Sequence, residues 1–334
     1  MPRGSLQSPR SSPYTFGYMS RALQEVAPEL PRPGAGRLAL LLERERVLGP
    51  LMLAPAATYI ILLVAAPLLF AIYLSLSNAT TGSQTFDFVG PANFVRAMQS
   101  TNFRSALANT FIFTIIAQIL VIIFGNILAL TLQHQFWGRS VVRFLILLPW
   151  ATPISLAAIG WKWMFDSLYS VVNWMLKAVH ILGPTDFPQW LGVPHLAMAS
   201  IIIVHVWRTF PFSAVVILAG LTSIPPEIMD AAAVDGAGYF QRLFHILLPM
   251  LLPILTIALL FGTVFTFTDM GVVYILTSGG PFNSTHVLSS WAFQVGIIAG
   301  DLAQGAAVAL FLLPVLLVGA ITMLRIASRA ETGV

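Results

Sequence analysis

The chain has 334 residues, of which 57% are hydrophobic and only 9% are charged, and its mean hydropathy is +0.84. A soluble domain carries about 25% charged residues, so this composition excludes a cytosolic enzyme or a disordered scaffold and indicates a polytopic membrane protein. Cysteine is absent, which excludes a disulfide-stapled secreted module. The formal charge of +4 and the pI near 9.7 would also suit a nucleic-acid binder, so the positions of the charges must decide between the two.

The N-terminal 49 residues differ in composition from the rest. They hold seven arginines together with prolines, glycines and serines, and no apolar period is sustained. This pattern predicts a cytoplasmic basic tail over 1–49 that is mostly disordered and ends in a short juxtamembrane helix. A cleavable signal peptide is not expected, because the first apolar stretch is too long and too far from the N-terminus.

Six long apolar segments follow, each longer than the ~20 residues that a helix needs to cross the hydrocarbon core. Prolines inside them are compatible with a membrane bundle, where neighbouring helices can satisfy the freed carbonyls. Two shorter apolar stretches, 171–181 and 287–298, are interrupted by polar groups and predict exoplasmic interfacial helices. The fold class is therefore an all-α membrane protein, with a transmembrane domain over 50–327 and a cytoplasmic tail over 328–334. The six predicted spans are 51–76, 106–132, 144–165, 196–221, 246–267 and 303–326.

The lysines and arginines predict the orientation of these spans. With the N-terminus inside, twelve of the 17 basic residues fall on the cytoplasmic side and three fall in outside loops. Lys162 and Arg208 lie within spans. We therefore expect both termini to be cytoplasmic, and the basic pI reflects topology, so no nucleic-acid partner is expected.

The linker over 224–248, between the fourth and fifth spans, is acidic although cytoplasmic linkers are usually basic. Glu227, Asp230 and Asp235 lie there with Arg242 as the only basic residue. Carboxylates in the first turns of a helix are favoured by the helix dipole. The residues alone leave two interpretations open: a helix-turn-helix packed under the bundle, or a docking surface for another protein.

The linker sequence predicts a short helix, a sharp turn and a second helix. Pro225 and Pro226 suit a helix start, where a missing N–H costs nothing. Ala231 and Ala232 are good helix formers with little bulk, so this helix can lie close against another surface. Gly236 can adopt a positive φ and end the helix.

The linker resembles the EAA loop of ATP-binding-cassette (ABC) importer permeases. That loop reads Glu-Ala-Ala, three residues, Gly, about nine residues and Ile-x-Leu-Pro; here Asp230-Ala231-Ala232, Gly236 and 246–249 fill the pattern. Asp230 replaces the usual glutamate and shortens the reach of the carboxylate. Further segments resemble the maltose-type carbohydrate permeases: FVGPANF (88–94), GRSVVRFLILLP (138–149), WKWMF (161–165), VWRTFPF (206–212) and LTSGGP (276–281).

The resemblance implies a permease subunit with a MetI-like core in a bacterial or archaeal cytoplasmic membrane. It would import a sugar or oligosaccharide by alternating access, together with a second permease subunit, two copies of an ABC ATPase and an extracytoplasmic solute-binding protein. No cofactor is expected on this chain, because ATP and Mg would bind to the partner ATPase. The coupling helix would dock in a cleft on that ATPase through Glu227, Asp230, Ala231, Ala232, Asp235 and Gly236.

Arg208 is the most informative charge inside a predicted span. It lies twelve residues into the fourth span, roughly 18 Å deep, where facing lipid is expensive. His205 and Phe212 share its helical face, and Thr209 flanks it. This face is a candidate part of the solute path.

The fifth span carries a matching stripe of residues. Gly262, Phe265, Thr266 and Asp269 recur at helical spacing, and an aromatic ring with hydrogen-bonding groups suits a polyhydroxylated solute. The resemblance implies that the fourth and fifth spans line the solute site at Thr209, Phe212, Phe265, Thr266 and Asp269.

Other interpretations of these residues stay open. Small and hydroxylated residues are also common at plain helix–helix contacts in membranes. Arg208 could pair with Asp269 or Asp166; unpaired, it would favour an anionic solute such as glycerol phosphate. An ABC permease for another non-sugar solute shares the EAA loop, and an ion-coupled secondary transporter would need internal repeats that the sequence lacks.

No enzyme activity is expected of this chain. The sequence contains no Walker A loop, so it cannot cradle ATP phosphates, and it has no Ser/His/Asp or metal-ligand arrangement at useful spacing. We therefore predict no catalytic and no metal-binding residues.

Overall fold

The computed structural model describes residues 45–83 and 86–331. Most of the predicted basic tail and the last three residues lie outside them. Short π-helical turns follow three of the helices, at Ile61–Ala65, Leu243–Leu247 and Gln294–Ile298. The α-helices are α1 Glu45–Ile60, α2 Ala66–Ser75, α3 Ala92–Gln99, α4 Thr101–Gln133, α5 Arg139–Ala151, α6 Ile154–Met164, α7 Val171–Ala178, α8 Pro194–Ser223, α9 Pro226–Val234, α10 Tyr239–Arg242, α11 Leu248–Thr268, α12 Gly271–Thr277, α13 Leu288–Phe293, α14 Leu302–Leu310 and α15 Leu312–Glu331.

Helix length and apolarity confirm an all-α protein with up to six membrane spans. The contacts between residues divide the chain into two compact units, with the boundary after Pro67. The helix packing described below belongs to the second unit, which begins at Leu68. Five helical stretches in the described residues are long and apolar enough to span: Leu48–Ser75, Thr101–Gln133, Pro194–Ser223, Tyr239–Thr268 and Leu302–Ile326. The sixth is the bent pair α5 and α6, counted as one span.

The third predicted span is broken, whereas the sequence predicted one apolar segment over 144–165. Helices α5 and α6 meet at an angle of 92° across Thr152 and Pro153. Pro153 has no N–H to bond to the carbonyl of Pro149, and its ring obstructs the preceding turn. The break brings the end of α5 into the bundle, which matters for the aromatic cluster described below.

Helix α8 is the central helix of the second unit. More than half of its apolar window is buried, a larger share than in any other span of the described residues. It packs along α4, where Gly125 allows close approach: a Cβ there would lie 3.2 Å from the Cβ of Ser213. Helix α11 packs against both α4 and α8, and α15 packs against α11. Small residues at helix contacts are typical of membrane bundles.

The two short apolar stretches form helices that do not span. The 171–181 stretch gives α7, and the 287–298 stretch gives α13 with its π-helical turn. The second of these packs tightly on α14, because the Cα of Gly296 contacts Gly305. A side chain on Gly305 would collide with that backbone.

Gly305→Ala is expected to destabilise the protein by about 1–3 kcal/mol, because the new methyl group meets rigid backbone rather than a movable side chain. Thermal unfolding of the purified chain in detergent measures the effect. Gly319→Ala in α15 is the matched control, since a Cβ there meets no atom within 4 Å. Equal melting temperatures for the two variants would contradict the predicted contact.

His286 lies buried in the loop between α12 and α13. Its Nδ1 lies 3.0 Å from the Oγ of Ser290, and its ring packs edge-on against Trp291. Gly279, with φ +84°, leaves the space that the imidazole ring fills. Burial disfavours the charged form and lowers the pKa of His286 from 6.5 to about 4.

The loop is therefore expected to lose stability as the pH falls from about 6.5 towards about 4. In that window the unfolded chain binds a proton at His286 and the folded chain does not. Lowering the pH from about 7 to about 5 is expected to cost roughly 2 kcal/mol. His286→Phe keeps an aromatic ring against Trp291 and should remove this part of the pH dependence of thermal unfolding. An unchanged pH slope in the variant would contradict the assignment.

Candidate functional site

A chain of buried polar side chains connects α4, α8 and the end of α11. The Nδ1 of His205 lies 2.9 Å from the Oδ2 of Asp269, and its Nε2 lies 2.8 Å from the Oγ1 of Thr266. Gln118 donates to the same hydroxyl from α4 at 2.7 Å. His205 is completely buried, so its contacts in the described structure are with the protein.

One assignment of donors and acceptors satisfies every hydrogen bond among these side chains. Gln118 donates to Thr266, Thr266 donates to the Nε2 of His205, and the Nδ1–H of His205 donates to Asp269. The Thr266 hydroxyl also lies 2.8 Å from the carbonyl of Gly262. This hydroxyl has one proton, so it can donate to the imidazole or to the carbonyl but not to both.

Arg208 pairs with Asp269, one of the two partners that the sequence left open. Its guanidinium donates to the Oδ2 of Asp269 at 3.3 Å, and its side chain is 19% exposed. The other carboxylate oxygen, Oδ1, accepts from the backbone N–H of Gly271 at 2.9 Å. Asp166 instead accepts backbone N–H groups in its own loop, of which that of Tyr169 is the larger cause of its lowered pKa. The cation of the fourth span is thus balanced by an anion inside the bundle.

Two further predicted solute-path residues, Thr209 and Gly262, make contacts inside the bundle. The Thr209 hydroxyl donates to the carbonyl of His205 in its own helix at 2.7 Å. Gly262 lies against Gln118, and a Cβ on this glycine would collide with the amide oxygen. In this conformation the Thr209 hydroxyl is already hydrogen-bonded within its own helix. The missing side chain of Gly262 allows α11 to approach α4 closely.

Phe212 and Phe265 meet at an aromatic cluster whose third member the sequence analysis missed. Trp150 stacks on Phe212 with centroids 4.6 Å apart and an interplanar angle of 20°. Phe265 meets Trp150 edge-on at 6.1 Å and is 46% exposed. Trp150 is the penultimate residue of α5, so the break after α5 positions its ring here. In the sequence, Pro149 and Pro153 on either side of Trp150 were the features that could have indicated the break.

An apolar groove of about 650 Å³ runs between α4, α11 and α15, and none of the eight predicted solute-path residues lines it. Ile119, Leu259 and Leu316 are typical of its lining. A sugar needs more hydrogen-bond partners than these mostly apolar walls expose. The predicted solute-path residues therefore lie apart from this groove, in the polar chain and the aromatic cluster.

The linker after α8 forms the predicted helix and turn. Helix α9 starts at Pro226 and ends at Val234, and Gly236 takes φ +76°. Ala232 is buried against the chain, whereas Glu227 and Asp230 are exposed. The remaining predicted coupling residues, Ala231, Asp235 and Gly236, are also exposed. Helix α9 therefore presents carboxylates on a surface that the described residues leave open.

A family profile described as binding-protein-dependent transport system inner membrane component matches residues 121–332, more than half of the chain. The chain belongs to that family. The permease is therefore a multi-pass membrane transport subunit.

Curated relatives of the permease agree with this assignment. The trehalose/maltose transport system permease protein MalF of Thermococcus litoralis is 34% identical over 85% of this chain and 94% of its own length. The sulfoquinovosyl glycerol transport system permease protein SmoG of Agrobacterium fabrum is 34% identical over 79% of this chain and 85% of its own. The diacetylchitobiose uptake system permease protein DasB of Streptomyces coelicolor is 30% identical over 89% and 92%.

A solved structure shares the fold of the permease. It belongs to a bacterial ABC transporter involved in the import of the acidic polysaccharide alginate. The TM-score is 0.74 at 22% identity, and the match covers 88% of this chain and 99% of the other. The all-α architecture of the permease is thus that of ABC importer permeases.

Proposed function

We propose that this permease carries a neutral sugar or oligosaccharide into the cytoplasm by alternating access. The observation that carries the proposal is the pairing of Arg208 with Asp269, which cancels the cation of the fourth span. Beside it on α8, Phe212 belongs to an aromatic cluster with partly exposed faces. Aromatic faces next to a few fixed polar groups suit the apolar faces and hydroxyls of a sugar. Relatives named for trehalose, maltose and diacetylchitobiose support a sugar as the solute.

A second candidate is an anionic solute such as glycerol phosphate. The observation that favours it is that the Nε of Arg208 has no partner among the described residues, while the side chain keeps some exposure. A phosphate could compete with Asp269 for the guanidinium. That competition would need the pair to open during transport.

Uptake competition separates the two candidates. Cells that depend on this importer would take up a labelled sugar in the presence of excess maltose, trehalose or glycerol 3-phosphate. We expect the neutral disaccharides to compete and the phosphate to have no effect. Competition by glycerol 3-phosphate alone would replace the sugar proposal with the anionic one.

Trp150→Ala is expected to weaken solute recognition, because it removes the ring on which Phe212 stacks. We expect about a tenfold rise in the half-saturating solute concentration, or about 1.4 kcal/mol, with little change in membrane insertion. Trp163→Ala is the matched control, because that ring faces outward on α6. Equal uptake kinetics in the two variants would remove Trp150 from the solute site.

The partners follow from the same proposal. A solute-binding protein would deliver the sugar from outside, a second and different permease subunit would complete the pathway, and two copies of an ABC ATPase would bind ATP and Mg. Helix α9 would dock on one ATPase through Asp230 and its neighbours. The excess of lysine and arginine on one side supports an orientation with both termini in the cytoplasm.

A further inference from the structure

Helix α7 has its polar and apolar faces reversed relative to a water-facing helix. Asn173 is 3% exposed, and the N-cap residue Ser170 is buried with it. Trp174 is 71% exposed, and Met175 is also more than half exposed. A helix that borders water would place these residues the other way round.

Hydrogen bonds fix this orientation. The indole N–H of Trp190 donates to the Oδ1 of Asn173 at 2.7 Å. The Ser170 hydroxyl donates to the carbonyl of Met164 at 2.8 Å and accepts from the backbone N–H of Asn173. Turning the helix to bury Trp174 would break these bonds, so its apolar face is held outward.

Further exposed apolar side chains lie along the connection between α6 and α8, from Leu168 to Phe187. We call residues 166–193 the outer segment. Tyr169, for example, is 81% exposed. Seven large apolar side chains of the outer segment are more than half exposed: Leu168, Tyr169, Trp174, Met175, Val179, Ile181 and Phe187.

The ends of the outer segment place it at the edge of the membrane. It begins just after α6, the second half of a span, and it ends where the α8 span begins. Its apolar surface continues that of α6, where Leu156, Ile159 and Trp163 are also exposed. A connection between two span ends lies at the level of the headgroups, where tryptophan and tyrosine are enriched.

The one lysine of the outer segment suits the same location. The Nζ of Lys177 lies 3.5 Å from the ring centroid of Phe187 and donates to the carbonyl of Pro184 at 2.8 Å. Within residues 45–83 and 86–331 it forms no ion pair with a carboxylate. A lysine above a partly inserted apolar face is placed to meet lipid phosphates.

We propose that the outer segment is a lipid-binding surface whose apolar face inserts at the headgroup–acyl boundary of the outer leaflet. The occupant is bilayer lipid. The surface anchors the connection between the third and fourth spans and holds the outer end of α8 at a fixed depth. This proposal rests on the orientation proposed above, with both termini in the cytoplasm, and not on the identity of the solute.

Site-directed fluorescence tests the proposal directly, because the chain contains no cysteine and needs no background substitution. Trp174→Cys and Val179→Cys would each be labelled with a small fluorophore in the full chain, assembled with the second permease subunit and the solute-binding protein but without the ATPase, which would cover α9, in phosphatidylcholine–phosphatidylglycerol vesicles. Quenching would be measured with iodide in the water and with lipids carrying a nitroxide near the headgroup or near the terminal methyl. Ile159→Cys on α6 is the lipid-facing control, and Val234→Cys, at an 87% exposed position of α9, is the water-facing control.

Both outer-segment probes are expected to be quenched about twofold more by the shallow nitroxide than by the deep one, and little by iodide. The Ile159 probe should respond to both nitroxides and the Val234 probe to iodide. Iodide quenching as strong as that of the Val234 probe would show a water-facing surface. Probes that respond to neither quencher would show that protein, such as the solute-binding protein or the second permease, covers it. Either result would overturn the proposal.

Discussion

Asp230→Lys is expected to abolish ATP-coupled uptake while leaving the amount of permease in the membrane unchanged. Asp230 is exposed on α9 and makes no hydrogen bond or ion pair with the described residues, so the fold does not depend on it. If the carboxylate faces a basic group on the ATPase, the substitution turns an attraction into a repulsion. A loss of roughly 100-fold or more in uptake rate follows from the usual cost of reversing such a pair.

Asp230→Glu is the matched control, because it keeps the charge and restores the residue that is usual in the EAA loop. Immunoblots of isolated membranes would quantify the permease, and transport would be measured in the same cells. Uptake by the lysine variant at the rate of the glutamate variant would mean that α9 does not couple through this carboxylate.

Asp269→Ala is expected to destabilise the bundle by about 3–5 kcal/mol. The substitution leaves the Arg208 guanidinium without its anion and the Nδ1–H of His205 without its acceptor. Removing one partner of a buried pair costs far more than an exposed pair contributes. Thermal unfolding of the purified chain in detergent would measure the loss.

Two companion variants sharpen the second prediction. Arg96→Ala breaks an ion pair with Asp301 in which the arginine is 59% exposed, and it should change stability by less than about 1 kcal/mol. Arg208→Gln combined with Asp269→Asn removes both charges and should recover much of the stability lost in Asp269→Ala. Equal stability of the Asp269→Ala and Arg96→Ala variants would contradict a buried, structural role for this carboxylate.

Much of the fold is visible in the sequence because membrane spans are defined by composition. Six apolar segments and the acidic linker are properties of consecutive residues, and the start of α9 at Pro226 and the positive φ of Gly236 agree with local turn chemistry. The 92° break at Pro153 was not predicted, although its cause is local. Proline in a membrane helix can be accommodated or can break the helix, and tertiary packing decides which occurs.

The site was harder to predict, because it depends on contacts between distant segments. Helical spacing correctly placed His205 and Arg208 on the same side of α8. Spacing does not reveal that Asp269, more than sixty residues later, bonds to both of them. Trp150 was missed for the same reason, since its role depends on where the break points the end of α5.

ATP hydrolysis by the reconstituted importer, supplied with its own binding protein, tests the central claim most directly. The assembled permease, its second subunit and its ATPase would be placed in lipid nanodiscs, and hydrolysis would be measured with maltose, trehalose or glycerol 3-phosphate. A sugar importer should hydrolyse ATP severalfold faster with a neutral disaccharide and bound binding protein than without them. Stimulation by glycerol 3-phosphate alone would contradict the neutral-sugar assignment, and transport by this chain alone on a proton or sodium gradient would contradict the ABC mechanism itself.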